Sequence, residues 1–251
     1  MFKLMKYEFR KTWITKLILL GVTAVAEAAF LIALYTEHHD TMTLMAGLLT
    51  LLAVGGVMVI GLESVLTLHR DMNTKQSYML FMTPNSSYKI LGAKVLECGL
   101  SILLTGAFFF ALGTLDITLL FEKEGKLSLL WDTIQEMLTH FSVGERELSF
   151  DTATMAALTF ELLTGWISTV CEAYLAVTVS AALLGGKRFG GLLSFVLFLV
   201  LSWFTGWAAK TVTASIPSVT TALLIYSLID LALAAIMYFV TAQIMERKLS
   251  V

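Results

Sequence analysis

Long apolar runs alternate with short polar segments along the chain, and this pattern indicates the fold class. A membrane-spanning helix needs about 20 mostly apolar residues to cross a hydrocarbon core of about 30 Å. The runs are continuous instead of alternating at every second residue, which favours helices over barrel strands. We therefore predict an all-α membrane protein with six transmembrane helices in a single transmembrane domain, residues 1–251. The predicted spans are Lys16 to Tyr35, Leu44 to Leu66, Ile90 to Leu112, Leu162 to Leu184, Gly191 to Ala209 and Val219 to Gln243.

Two segments outside the spans have the periodicity of amphipathic helices. In residues 1–15, apolar side chains share one face at about 100° per residue, and basic residues flank that face. This pattern predicts an interfacial elbow helix, with Phe2, Met5, Phe9 and Trp13 on its apolar face. In the predicted extracellular segment, residues 115–152, apolar residues recur at spacings of three and four, which predicts a second amphipathic helix. Its apolar residues are Leu127, Leu130, Ile134, Met137 and Phe141.

Charge gives the predicted spans an orientation, because Lys and Arg are retained on the cytoplasmic side of short loops. Only 14% of the residues are charged and 57% are hydrophobic. With both termini in the cytoplasm, most basic residues fall inside: Lys3, Lys6, Arg10, Lys11, Lys16, Arg70, Lys75, Lys89, Lys94, Lys187, Arg188, Arg247 and Lys248. The segment from Asp116 to Asp151 is rich in acids and falls outside. We expect a multi-pass protein of a plasma membrane.

The loop between the second and third spans, residues 67–89, mixes charged and aromatic side chains more than a solvated loop usually does. Asn73 or Thr74 can cap a short helix there, and Pro84 must end it, because proline disfavours helical geometry in the residue before it. The sequence therefore predicts a short cytoplasmic helix held between two membrane helices.

Carboxylates inside apolar runs are candidates for function, because charge in the hydrocarbon is costly. Glu27, Glu172 and Asp230 lie deepest and are candidates for a translocation pathway. The alternative for these three is hydrogen bonding with neighbouring Ser and Thr in a protonated or paired form. Other carboxylates lie toward span ends, where we expect water to solvate them: Glu63, Glu97 and Glu161.

Motifs of enzyme chemistry are not found. The segment Gly185-Gly186-Lys187-Arg188 does not match a phosphate-binding loop, and Glu37-His38-His39-Asp40 is better interpreted as an exposed polar turn than as a metal site. Cys98 and Cys171 fall within spans, and we expect buried thiols there instead of a disulfide. We therefore expect no enzyme activity and no cofactor in this chain.

Two stretches resemble permeases of the ABC type 2 exporter family, in particular the compact six-span kind of Gram-positive bacteria. The opening Phe2-Lys3-Leu4-Met5-Lys6-Tyr7-Glu8-Phe9-Arg10-Lys11 resembles that family's N-terminal elbow. The stretch Lys75-Gln76-Ser77-Tyr78-Met79-Leu80-Phe81-Met82-Thr83-Pro84-Asn85-Ser86, followed by Ile90-Leu91-Gly92-Ala93-Lys94, resembles its loop after the second span. The long acidic segment from Asp116 to Asp151 departs from the family pattern.

The resemblance implies a permease subunit of an ATP-driven exporter in the bacterial plasma membrane. Its partners would be a second permease subunit, identical or homologous, and separate ATPase subunits that hold ATP and Mg. The implied contacts with the ATPase subunit are Asp71, Lys75, Gln76, Tyr78, Phe81, Met82 and Pro84. The substrate stays open, with peptides and drugs as candidates.

Two other classes compete with this interpretation. A stand-alone proton- or cation-coupled secondary transporter would use Glu27, Glu172 or Asp230, and it would favour inverted repeats and broken spans. An intramembrane enzyme would need clustered His, Asp, Glu or Ser within the spans. The neighbouring open reading frame would distinguish the exporter from the secondary transporter, because an ATPase encoded there would favour the exporter.

Overall fold

A computed structural model describes residues 2–73, 86–123, 125, 129, 132, 142–143, 146–147, 151–184 and 190–249. Within these residues the chain forms seven α-helices and one short π-helical turn, Met245–Leu249. The helices are α1 (Phe2–Lys11), α2 (Trp13–Thr36), α3 (His39–Asn73), α4 (Ser87–Lys123), α5 (Thr152–Leu184), α6 (Gly190–Thr213) and α7 (Val219–Ile244). Two-residue strands, β1 (Ser142–Val143) and β2 (Arg146–Glu147), pair antiparallel.

Helices α2 to α7 are each long and apolar enough to cross a membrane, so the prediction of six spans is confirmed. Three of them are longer than their apolar runs. Helices α3, α4 and α5 contain 35, 37 and 33 residues. Polar residues at either end can extend the helix, because they form the same backbone hydrogen bonds as apolar residues do. The apolar run therefore predicts only the middle of the helix. The chain is a multi-pass helical membrane protein.

A capping side chain marks the start of α5, and a left-handed residue marks the end of α2. Asp151 caps α5, because its Oδ1 accepts a 2.9 Å hydrogen bond from the backbone N–H of Thr154. Hydrogen bonds from the Thr154 hydroxyl and backbone N–H lower the pKa of Asp151 below its ordinary value. Helix α2 ends at Thr36, and the next residue, Glu37, adopts a left-handed conformation with φ of 61°. A residue in this conformation commonly ends a helix.

The chain divides into two compact units whose boundaries fall within α3 and α4, and the first unit contains residues 65–95 and 132–251. Helix α5 is central in this unit: 61% of its most apolar window is buried, against 17% for α6 and 22% for α7. It packs most extensively against α7 and then against α6. Cys171 of α5 forms a core cluster with Ala234 and Met237 of α7.

The second unit contains residues 2–64 and 96–131. Its core includes Ala26 and Phe30 of α2 and Leu49 of α3. At Gly56 of α3, an added Cβ would lie 3.0 Å from the Leu19 methyl groups. The absence of a side chain at Gly56 therefore lets α2 approach α3 closely.

The all-α prediction is confirmed, and the sequence analysis did not predict the one short strand pair. Ser142 pairs with Glu147 and Val143 pairs with Arg146. Strands of two residues are too short for alternation of apolar and polar positions to reveal them. The apolar residues of the predicted extracellular helix, and the predicted helix between residues 74 and 84, lie outside the described residues.

Candidate functional site

A buried ion pair joins the two helices that flank the loop predicted to contact an ATPase. The Lys94 ammonium of α4 donates a 2.7 Å hydrogen bond to Oδ2 of Asp71 in the last turn of α3. The two side chains are 3% and 6% exposed. Asp71 was predicted as a contact to the ATPase, and the structure places its carboxylate inside the first unit. The other predicted contacts, Lys75, Gln76, Tyr78, Phe81, Met82 and Pro84, lie outside the described residues.

Further contacts attach these helix ends to the rest of the first unit. The Tyr238 hydroxyl of α7 donates a 2.6 Å hydrogen bond to the carbonyl of Tyr88 in the first turn of α4. The Ser180 hydroxyl of α5 donates a 2.6 Å hydrogen bond to the carbonyl of Gly190, the first residue of α6. An added Cβ at Gly190 would lie 3.7 Å from His69 of α3. Residues of five helices therefore fix this end of the unit.

A second polar cluster lies where α5, α6 and α7 meet. Glu172 of α5 is 5% exposed. Its Oε2 accepts a 2.6 Å hydrogen bond from the Ser202 hydroxyl, and its Oε1 accepts a 2.8 Å hydrogen bond from the Thr205 hydroxyl. Ser168, one turn away on α5, donates to Oε1 at 3.5 Å. Hydrogen bonding with neighbouring Ser and Thr, which the sequence analysis gave as the alternative to a pathway role, is therefore observed at Glu172.

Asp230 of α7 faces a different part of α5, because its Oδ2 lies 4.0 Å from the position that a Cβ on Gly165 would occupy. It is 7% exposed, and within the described residues no hydrogen bond to its carboxylate is present. Two of the three predicted pathway residues, Glu172 and Asp230, therefore belong to the first unit.

The third predicted pathway residue, Glu27, belongs to the second unit, where it lies beside Asp116 of α4. Glu27 Oε2 and Asp116 Oδ1 are buried and accept no hydrogen bond from any described residue. Asp116 had been grouped with the acids of the extracellular segment. Its place in α4 follows from the helix running on past Leu112, where the apolar run was expected to end.

Glu97 is not solvated by water as its place near a predicted span end suggested, so that prediction was wrong. The side chain is buried, and Lys16 of α2 donates a 2.7 Å hydrogen bond to its Oε1. Thr12 and Ser101 donate to the same oxygen at 3.1 and 2.9 Å. The partner Lys16 lies 81 positions earlier in the chain, so only the tertiary structure reveals the pair.

Other predictions of the sequence can be compared directly. Cys98 and Cys171 are free and buried, as predicted. The turn from Glu37 to Asp40 is exposed, as predicted. Across the described ranges, no group of three His, Cys, Asp or Glu side chains is placed to hold a metal ion.

In comparisons with known proteins, no family model, no curated protein and no solved structure matches the chain. The class defined by sequence and structure together is therefore that of a helical multi-pass membrane protein with buried carboxylates in both of its units.

Proposed function

We propose that the chain is the membrane-spanning permease subunit of an ATP-driven ABC exporter. It works with a second permease subunit and with separate ATPase subunits that bind ATP and Mg, and it contains no catalytic centre of its own. The substrate leaves the cell through the spans, and peptides and drugs are the candidate substrate classes. The resemblance of residues 2–11 and 75–94 to that family is the sequence basis of the proposal.

The buried pair of Asp71 and Lys94 is the structural observation that supports it most. An ATPase in the cytoplasm can move membrane helices only through an element that is rigidly attached to them. The ion pair holds the end of α3 to the start of α4, and the hydrogen bond from Tyr238 to Tyr88 holds α4 to α7. A partner that binds residues 74–85 would therefore act on several spans at once.

In this mechanism, Lys75 and Gln76 provide polar contacts and Tyr78, Phe81 and Met82 provide apolar anchors. Large aromatic side chains dominate the binding energy of many interfaces. The role of Asp71 is to position the loop by its bond to Lys94, since its carboxylate is buried within the chain.

Co-purification with the product of the neighbouring open reading frame, which the proposal expects to be an ATPase, tests this function. The double variant Tyr78→Ala and Phe81→Ala is expected to lose the ATPase, because two anchors of the interface are removed. The matched control is Tyr35→Ala and Phe110→Ala, which removes the same side-chain types at positions 70% and 76% exposed. Retention of the ATPase by the Tyr78 and Phe81 variant, with unchanged ATP hydrolysis, contradicts the proposal.

A second candidate function, a stand-alone secondary transporter, is favoured by the carboxylates Glu172 and Asp230. Among the described residues neither is paired with a Lys or Arg. Such a transporter would move its substrate in proteoliposomes under an imposed ion gradient without ATP. The exporter would require ATP and its ATPase partner under the same conditions.

A further inference from the structure

A narrow cavity lies between α1 and the spans of the second unit. It encloses about 210 Å³, and residues of α1, α2, α3 and α4 line it. Most of its wall consists of Leu, Ile and Phe side chains. On α4 the wall extends from Ser101 to Phe109, about 12 Å along the helix. Leu20 and Leu104 of the wall are 53% and 54% exposed, so the cavity opens at the surface of the unit.

Polar groups on the cavity wall already have hydrogen-bond partners within the chain. The Lys16 ammonium has three N–H donors. It donates to Glu97 Oε1 and to the Ser101 hydroxyl at 2.7 Å each, and to the Thr12 hydroxyl at 2.9 Å. The Thr23 hydroxyl donates a 2.8 Å hydrogen bond to a backbone carbonyl of its own helix. A polar ligand would find these donors occupied, so the cavity suits an apolar occupant.

The size of the cavity limits the kind of apolar occupant. Sites for drug-sized ligands enclose about 300–1,000 Å³, whereas a cavity of about 150 Å³ holds a molecule as small as benzene. At about 210 Å³ the cavity is too small for a drug-sized ligand. Its length along α4 suits a single hydrocarbon chain better than a compact ring.

Basic side chains lie beside the end of the cavity that Phe9 forms. Lys6 lies three residues before Phe9 and four before Arg10, spacings that place side chains together on a helix. Both basic side chains are exposed. The Lys16 ammonium lies 3.9 Å from the centroid of the Phe9 ring, and the Trp13 ring lies 5.7 Å from it. Because an indole prefers the depth of the lipid headgroups, this end of the cavity lies where a headgroup would be.

We propose that the cavity binds one acyl chain of an anionic phospholipid, whose headgroup contacts Lys6 and Arg10. The chain fills the apolar cavity, and the two basic side chains select the headgroup. Each basic side chain near an anionic headgroup strengthens binding about fivefold, so the two together give a preference of about 25-fold over a zwitterionic headgroup. The proposal goes beyond the exporter function and requires neither an ATPase nor a transport substrate.

Photo-crosslinking in lipid nanodiscs tests the proposal with the full chain and without any ATPase. The probes are phosphatidylglycerol and phosphatidylcholine that carry the same photoreactive group in one acyl chain. Each is added in trace amount to nanodiscs of phosphatidylcholine, which competes for the cavity, and mass spectrometry locates the labelled residues. Phosphatidylglycerol is expected to label the wall between Ser101 and Phe109 about 25-fold more than phosphatidylcholine does.

A charge variant tests the selection of the headgroup. Lys6→Gln with Arg10→Gln is expected to remove the preference for phosphatidylglycerol, because both basic contacts are lost. The matched control is Lys89→Gln with Arg247→Gln, which removes one exposed lysine and one exposed arginine from the first unit. This control is expected to keep the preference of the wild type. An equal preference in the two double variants would overturn the assignment of the headgroup contacts.

A cavity variant tests the position of the acyl chain. Thr105→Phe places a ring in the cavity, because Thr105 is part of its wall, and it is expected to abolish labelling of the wall by both probes. The matched control is Thr114→Phe, the same change at an exposed position of α4 outside the wall. It is expected to be labelled as the wild type is. Undiminished labelling of the wall in Thr105→Phe would overturn the placement of the chain.

The wild-type measurement decides the proposal even where a variant fails to fold. Equal labelling of the wall by the two probes would overturn the assignment of an anionic lipid. Labelling of other span residues without any label between Ser101 and Phe109 would overturn the lipid site in favour of a cavity covered by a second permease subunit.

Discussion

Neutralising Asp71, which forms a buried ion pair with a lysine, should destabilise the protein far more than neutralising an acid in an exposed ion pair with a lysine. Asp71→Asn keeps the side-chain shape and removes the negative charge that lies 2.7 Å from the Lys94 ammonium, which is 3% exposed. Removing one partner of a buried ion pair costs about 3–5 kcal/mol. For a chain of this length, 1 kcal/mol shifts the Tm by about 2–4 °C. The expected fall in Tm is therefore about 6–20 °C.

Glu37→Gln is the matched control. Glu37 lies 3.6 Å from the Lys123 ammonium, and the two side chains are 77% and 32% exposed. Exposed pairs contribute about 0–1 kcal/mol. Lys123 also donates a hydrogen bond to the carbonyl of Leu34, so its ammonium keeps a partner in this variant. The expected change in Tm is at most about 4 °C.

The two cysteines provide the assay. Cys98 and Cys171 are 1% and 3% exposed, so a thiol-reactive dye labels them only when the structure opens. They belong to different units, and variants that retain one cysteine therefore report the unfolding of each unit separately. Asp71→Asn should lower the labelling temperature of Cys171, which shares the first unit with the ion pair.

The double variant Asp71→Asn and Lys94→Gln supplies the remaining comparison. It removes both charges and leaves two amides that can bond each other, so it should recover much of the lost stability. A fall in Tm for Asp71→Asn no larger than that for Glu37→Gln would refute the view that this pair stabilises the helix ends.

Two further predictions concern a helix cap and a pair of glycines. Hydrogen bonds from Thr154 lower the pKa of Asp151 in the folded chain. The charged form of Asp151 therefore stabilises the folded chain at pH values above the ordinary Asp pKa of about 3.9. This stabilisation is lost as the pH falls through the lowered pKa. The Tm difference between wild type and Asp151→Asn should therefore shrink below about pH 4, and a difference that stays constant from pH 7 to 3 contradicts it. Gly55→Ala should raise the Tm, because nothing lies within 4 Å of an added Cβ and alanine favours the helix. Gly56→Ala must displace Leu19, so its Tm should be several degrees lower than that of Gly55→Ala. Equal Tm values for the two alanine variants would contradict the close approach at Gly56.

The spans could be predicted from the sequence because their signal is local. An apolar run of about 20 residues specifies a membrane helix without reference to any other part of the chain. The helix ends were less predictable. Helix α4 continues to Lys123, eleven residues beyond the predicted end at Leu112, because a helix can extend past the hydrocarbon without apolar residues.

The polar contacts required the tertiary structure. Glu97 was predicted to be solvated because it lies near a span end, and its partner Lys16 comes from a different helix. The hydroxyls that bind Glu172 left a partial signal: Ser168 lies one turn before Glu172 on α5, and Ser202 and Thr205 are spaced by three on α6. This spacing places each pair on one helix face, but it does not specify which faces meet.

The length of α4 has a consequence for the membrane in which the protein sits. Its 37 residues span about 55 Å, and even at a tilt of about 40° they cover about 42 Å along the bilayer normal. Hydrocarbon occupies only about 30 Å of that distance. The helix can therefore cross thin or thick bilayers by changing its tilt alone, and its ends reach the headgroups in either case.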